Sequence, residues 1–173
     1  MSSDIHKQAE TKIKEWLNRP EEGYSCDRIP DQMTGLYGSK NICDFTCFKS
    51  PNMYYIESKS TWEDRFDFSL ISETQYEGLL DKSKISNVWG LVIVLFLGHK
   101  RAFILDIRDI DKLSQAGTKS LNIKKIIKWG IPFAEIPTIP NNRKILLDYS
   151  GELDELVASL NSKIVDDSKE VQV

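Results

Sequence analysis

Residues 41–59 read N-I-C-D-F-T-C-F-K-S-P-N-M-Y-Y-I-E-S-K, and the way this stretch folds decides the rest. Residues 41–48 are rich in strand formers and alternate in side-chain character. Lys49-Ser50-Pro51-Asn52 is turn chemistry, and residues 53–59 return as a second strand. Pairing Phe48 with Met53 across that four-residue loop sets Asp44 directly opposite Glu57. Side chains two apart share a face, so Lys59 points the same way as Glu57 and faces Ile42 across the hairpin. Two carboxylates opposite each other destabilise a sheet unless something positive lies between them. A divalent cation meets that need, which makes the hairpin a candidate metal site.

An acidic residue, any residue, then Lys occurs three times: Glu10-Thr11-Lys12, Glu57-Ser58-Lys59 and Asp167-Ser168-Lys169. The first belongs to a helix-like stretch and the third to a polar tail. Only the middle copy lies on a strand with a partner aspartate in register. A solvent-facing hairpin with ordinary surface charges has the same spacing, so the surrounding chain carries the decision.

At 173 residues and 40% hydrophobic content the chain suits one globular domain, burying roughly 70% of its unfolded surface. The longest apolar run, residues 88–97, contains a glycine and falls short of the ~18 residues a membrane helix needs. It reads as a buried strand. The N-terminal residues lack a signal pattern, so a cytoplasmic, reducing location and no membrane partner are expected. Cys43 and Cys47 are then buried free thiols, and with Cys26, His6 and His99 they form no zinc set of recognisable spacing. A net charge of -3 argues against a general nucleic-acid coat protein. It leaves room for a nuclease, whose acidic ligands lower the sum while local patches stay basic. Such patches are His99-Lys100-Arg101, Lys124-Lys125 with Lys128, and Arg143-Lys144.

Residues 6–17 carry an apolar stripe, Ala9, Ile13, Trp16 and Leu17, at helical spacing, with Glu10 beside it. Arg19-Pro20 stops that helix. Residues 21–40 are loop-like, with a short strand at Leu36-Tyr37, and residues 60–70 form a polar-aromatic connection. Ser72-Glu73-Thr74-Gln75 has the capping-box form and opens a second helix. After the apolar strand, a turn at Gly98-His99-Lys100 leads into a strand over 101–107. Short helices follow at 109–114 and 123–129. Residues 131–140 are too proline-rich for a sheet interior, and 144–147 form a small strand. Residues 151–164 make a final amphipathic helix, and residues 165–173 fray. The domain spans 1–165, with a polar tail over 166–173. This order predicts an α/β fold, a single domain with a central mixed sheet flanked by helices.

Glu10 on the opening helix, Asp44 on a strand and Glu57-Ser58-Lys59 on its partner resemble the PD-(D/E)xK nuclease superfamily, whose fold is that of restriction endonucleases. Their order and spacing resemble RecU-type Holliday-junction resolvases over residues 7–111. The resemblance implies Mg2+ (Mn2+ a possible substitute) held by Asp44 and Glu57, with Gln75 supplying a further oxygen. It implies that Lys59 orients the attacking water or stabilises the charged transition state, and that Glu10 touches the metal through water. It also implies branched or duplex DNA as substrate and a homodimer that cuts two strands symmetrically, with Leu36-Tyr37 and residues 88–96 as candidate interface. Two features depart from the family pattern. Ile42 stands where a Thr is usual, and residues 24–40 are the only room for the junction-engaging stalk. Two other functions therefore stay open: a nuclease acting on other DNA structures or ends, and a non-catalytic DNA-binding module with the same fold.

The residue types suit phosphodiester cleavage. Magnesium prefers oxygen ligands, and one or two carboxylates suffice to hold it. It masks phosphate charge and lowers the pKa of water. An ammonium such as that of Lys59 adds a compact positive charge with donors that position a nucleophile.

Overall fold

The computed structural model describes residues 2–30, 40–128, 132–139 and 148–167, with side chains for 4–30, 40–128, 132–139 and 148–160. The chain runs α1 (Ser2–Leu17), β1 (Ser25–Arg28), β2 (Phe45–Lys49), β3 (Asn52–Thr61), β4 (Arg65–Asp67), α2 (Glu73–Ser83), β5 (Val88–Phe96), β6 (Arg101–Asp106), α3 (Ile107–Gln115), β7 (Ser120–Asn122), α4 (Ile123–Lys128), β8 (Ala134–Glu135), β9 (Thr138–Ile139), β10 (Asp148–Tyr149) and α5 (Leu153–Asp167). Six strands form the main sheet in the order β1-β2-β3-β5-β6-β8. β3 and β5 are parallel, and the other neighbours are antiparallel. The expected mixed sheet is therefore present.

β5 explains why the apolar run does not alternate. Leu91, Ile93 and Leu95 pack into one core with Ala9, Ile13 and Trp16 of α1 and with Leu153, Val157 and Leu160 of α5. Val92, Val94 and Phe96 pack into a second core with Leu79 of α2, Ile110 of α3 and Ile126 of α4. A strand covered on both faces needs apolar side chains at every position. The run thus belongs to the interior of this chain, as its reading as a buried strand expects, and the alternative of a dimer interface there does not hold. α2 lies close against this layer. A Cβ on Gly90 would come within 2.6 Å of Leu79 O and Ser83 Oγ, and the Ser83 hydroxyl instead accepts from Gly90 N at 2.9 Å.

The hairpin register is as expected, with Phe48 opposite Met53. Its loop is tighter, because Lys49 pairs with Asn52 and only Ser50-Pro51 turns. The expected strand over 41–48 is shortened to Phe45–Lys49. Ile42 does not face Lys59 across the ladder; it packs against Gly78 of α2, where a Cβ would collide with it.

Strands also arise where none was expected, β1 and β4 among them. β1 pairs with β2, and β4 pairs with β7 as a separate ribbon. Neither has the run of branched and aromatic residues that marks a strand, and their partners supply the pairing. β1 brings Cys26 opposite Cys47 with Cα atoms 4.1 Å apart, and the two form a disulfide. This corrects the assignment of Cys47 as a free thiol. Cys43 is free and buried, and burial pushes its thiol up to about 12.

β8, in the proline-rich stretch, lies at the sheet edge. α5 continues past residue 164, where fraying was expected, to Asp167. The strands expected at Leu36-Tyr37 and at 144–147 lie outside the described residues. Among the described residues no helix is long and apolar enough to cross a membrane.

Candidate active site

Strand β3 outlasts its neighbour, and the site forms where it does. The β2–β3 ladder ends at Phe45 opposite Ile56. One residue earlier, Asp44 N donates to Ile56 O at 3.0 Å, and Asp44 O accepts from Ile29 N at 2.7 Å. Asp44 is therefore held at the strand's entrance and is not paired with Glu57 in the ladder, a correction to the in-register geometry. Its carboxylate turns instead to Ser58 N, accepting at 2.8 Å. That amide lies just beyond the end of the β2 ladder, so the side chain supplies a partner there.

Glu57 is 2% exposed and pairs through its backbone with Val92 of β5. Its Oε1 accepts from Gln75 Nε2 at 2.7 Å and lies 2.6 Å from Lys59 Nζ. Its Oε2 is buried without a hydrogen-bond partner. Burial, then the negative charge of Asp44, pushes the Glu57 carboxyl up to about 7 against the pull of Lys59 and Gln75. Asp44 is also raised, mainly by burial and then by Glu10, while the Ser58 amide, Lys59 and Arg28 work the other way. The positive charge that the sequence demanded between the carboxylates is supplied here, at Glu57, by the Lys59 ammonium.

Gln75 is placed by helix capping. Ser72 caps α2, its hydroxyl accepting from Gln75 N, and Gln75 Oε1 accepts from Ser72 N at 3.0 Å. Lys59 Nζ donates to the same oxygen at 3.2 Å. The cap orients the amide so that its nitrogen meets Glu57. Capping and contact with Glu57 are thus one arrangement.

Glu10 comes from α1, and its carboxylate is met by Arg28 of β1 at 2.9 Å. Arg28 is the residue that sequence reading missed. It lies in a stretch without strand signals, and only the pairing of Arg28 with Phe45 brings it beside Asp44. Glu57, Lys59 and Gln75 are in direct contact, Asp44 acts on Glu57 through charge, and Glu10 acts on Asp44 in the same way.

The described residues hold no group of three or more His, Cys, Asp and Glu side chains suited to a metal. Two carboxylates and an amide oxygen remain, a set within what magnesium accepts when substrate and water complete its shell. The partnerless Glu57 Oε2 is what such a set leaves open, since a buried carboxylate oxygen without a donor is costly.

RecU, described as recombination protein U, is the family whose model matches residues 23–155, more than half of the chain. The chain belongs to the RecU family. RecU-type proteins are Holliday-junction resolvases, endonucleases of the PD-(D/E)xK superfamily, so the resemblance noted from the sequence holds. Among solved structures, this RecU chain is similar to the 1.6 Å structure of Hjc, a Holliday junction resolvase from the archaeal hyperthermophile Archaeoglobus fulgidus. The two share 15% identity with a TM-score of 0.43, over 60% of this chain and 78% of that one. No curated protein matches the sequence.

Proposed function

We propose that this RecU chain is a divalent-metal-dependent endonuclease that hydrolyses phosphodiester bonds at Holliday junctions, with Mg2+ (or Mn2+) held by Asp44 and Glu57. The observation that carries the reading is the buried Glu57 carboxylate, whose Oε2 lacks a partner beside the charge of Asp44. A bound divalent ion would mask phosphate charge and make water a better nucleophile.

The chain's own groups do the rest. Asp44 is fixed by the Ser58 amide and needs no reorganisation to present its carboxylate. Lys59 can leave Glu57 Oε1, hold a water with its ammonium donors and face the charge that grows on the phosphate. Gln75 would offer Oε1 to the ion by giving up the Lys59 contact while keeping its cap to Ser72 N. Glu10 adds negative charge near Asp44, tempered by Arg28, and would bind through water. Two symmetric cuts need two copies of the site, which a two-fold homodimer supplies. The runner-up is a nuclease for other branched or broken DNA, favoured by Ile42, whose side chain packs on Gly78 in place of an oxygen-bearing one.

The test is cleavage of a synthetic four-way junction, a flap and a linear duplex in parallel. Asp44→Asn and Lys59→Ala should lose junction cleavage while still binding DNA. Full cleavage by both variants removes the mechanism, and equal cutting of all three substrates favours the runner-up. Sedimentation showing only monomer at micromolar concentration counts against the dimer.

A further inference from the structure

Helix α1 carries lysines of two kinds. Lys12 is held by Glu15 at 2.7 Å and Asp148 at 2.8 Å. Lys7 and Lys14 are exposed and make no ion pair among the described residues. With Thr11 between them, they follow i, i+4, i+7 spacing and share one face of the helix. That face forms one wall of an open cleft of about 450 Å³ lined by Lys7, Glu10, Thr11, Lys14 and Arg28. The Glu10 carboxylate is already met by Arg28, so the cleft keeps the charge of two lysines. In the His99-Lys100-Arg101 patch, by contrast, His99 meets Asp64, and Arg101 meets Glu135 through two hydrogen bonds.

On the footing that the chain cuts DNA, we infer that this cleft binds the sugar-phosphate backbone beside the cut, through Lys7, Lys14 and the Thr11 hydroxyl. Seven helical residues separate Lys7 and Lys14 by about 10.5 Å. One strand of duplex DNA advances about 3.4 Å per phosphate along the duplex axis, and its phosphates follow a longer helical path, so the pair reaches more than one phosphate of the same strand. The Glu10–Arg28 pair joins the cleft to Asp44: Arg28 pairs with Phe45, the residue after Asp44, and Ile29 N donates to Asp44 O at 2.7 Å. A strand seated in the cleft therefore runs towards the carboxylates. The contacts are ionic and read no base, so they set affinity without sequence preference.

The test is the double variant Lys7→Gln/Lys14→Gln against wild type, with Lys84→Gln/Lys112→Gln as a control. The control removes the same two charges from positions that are 75% and 70% exposed on other elements. Binding of a duplex and of a four-way junction is measured in chelator from 50 to 200 mM salt, and junction cleavage with magnesium. The α1 double variant should bind about 10-fold more weakly at 100 mM salt, with a salt slope shallower by about 1.8. Its KM should rise with kcat at saturation unchanged, and the control should stay close to wild type. A wild-type slope and KM in the α1 variant, or an equal loss in the control, overturns the cleft while leaving the nuclease reading intact. A wild-type chain that neither binds nor cleaves DNA overturns both.

Discussion

β3 and β5 run side by side in parallel, yet they bury opposite chemistry. β5 places Val92 and Val94 in the second core, and their backbone partners on β3 are Glu57 and Lys59. Both strands keep apolar residues on the α1 face, where Tyr54 and Ile56 accompany Leu91 and Ile93. The difference is confined to one face and one end. β5 gains stability along its whole length through apolar area removed from water, at roughly 25 cal/mol per Å². β3 gives up that gain where Glu57 is buried, and a buried carboxylate tolerates its position only through Lys59, Gln75 and whatever completes Oε2. The lesson is that the polar end of β3 is not required by the sheet and makes physical sense as a site.

The largest expected effect belongs to that end. Removing divalent ions with a chelator should abolish junction cleavage, and adding Mg2+ should restore it, while circular dichroism stays unchanged. Next comes the apolar strand. Ile93→Ala, deep in the first core, should cost about 2–5 kcal/mol in denaturant unfolding. It should leave cleavage by the folded protein at low temperature near wild type. A large loss of kcat with little loss of stability would erase the division between the strands.

Ser72→Ala links the two regions. Losing the α2 cap should cost about 1 kcal/mol, and cleavage should also fall because Gln75 loses its anchor. Ser72→Thr should keep both. The last effect has the opposite sign. Burial, then the charge of Asp44, pushes the Glu57 carboxyl up to about 7 from an ordinary 4.5, so the native state holds this proton more tightly than the unfolded state. Its contribution to stability is present below about 4.5 and is lost as pH rises through 7. Glu57→Gln should therefore be more stable than wild type at pH 8 without metal, and the two should converge at pH 4. Thermal unfolding at both pH values reads this directly.

Much of this is legible in the sequence. The turn residues and the alternation on either side of them set the Phe48–Met53 register. Ser72 and Gln75 announced the cap, and the near-continuous apolar run announced a buried strand. What stayed hidden depends on partners distant in sequence. β1 reads as loop because Ser25-Cys26-Asp27-Arg28 has no strand pattern of its own, and with it went the Cys26–Cys47 link and the placement of Arg28. The departure of Asp44 from the ladder was hidden for a similar reason. Residue counting extends a ladder indefinitely, whereas Ile42 is drawn away to pack against Gly78.

The most direct test of the central claim uses no DNA. Calorimetric titration of Mn2+ into the wild-type chain, Asp44→Asn and Glu57→Gln asks whether the two carboxylates hold a hard ion. Saturable binding by the wild type, lost in both variants, is the predicted result. Absence of binding in the wild type, or undiminished binding in both variants, contradicts it.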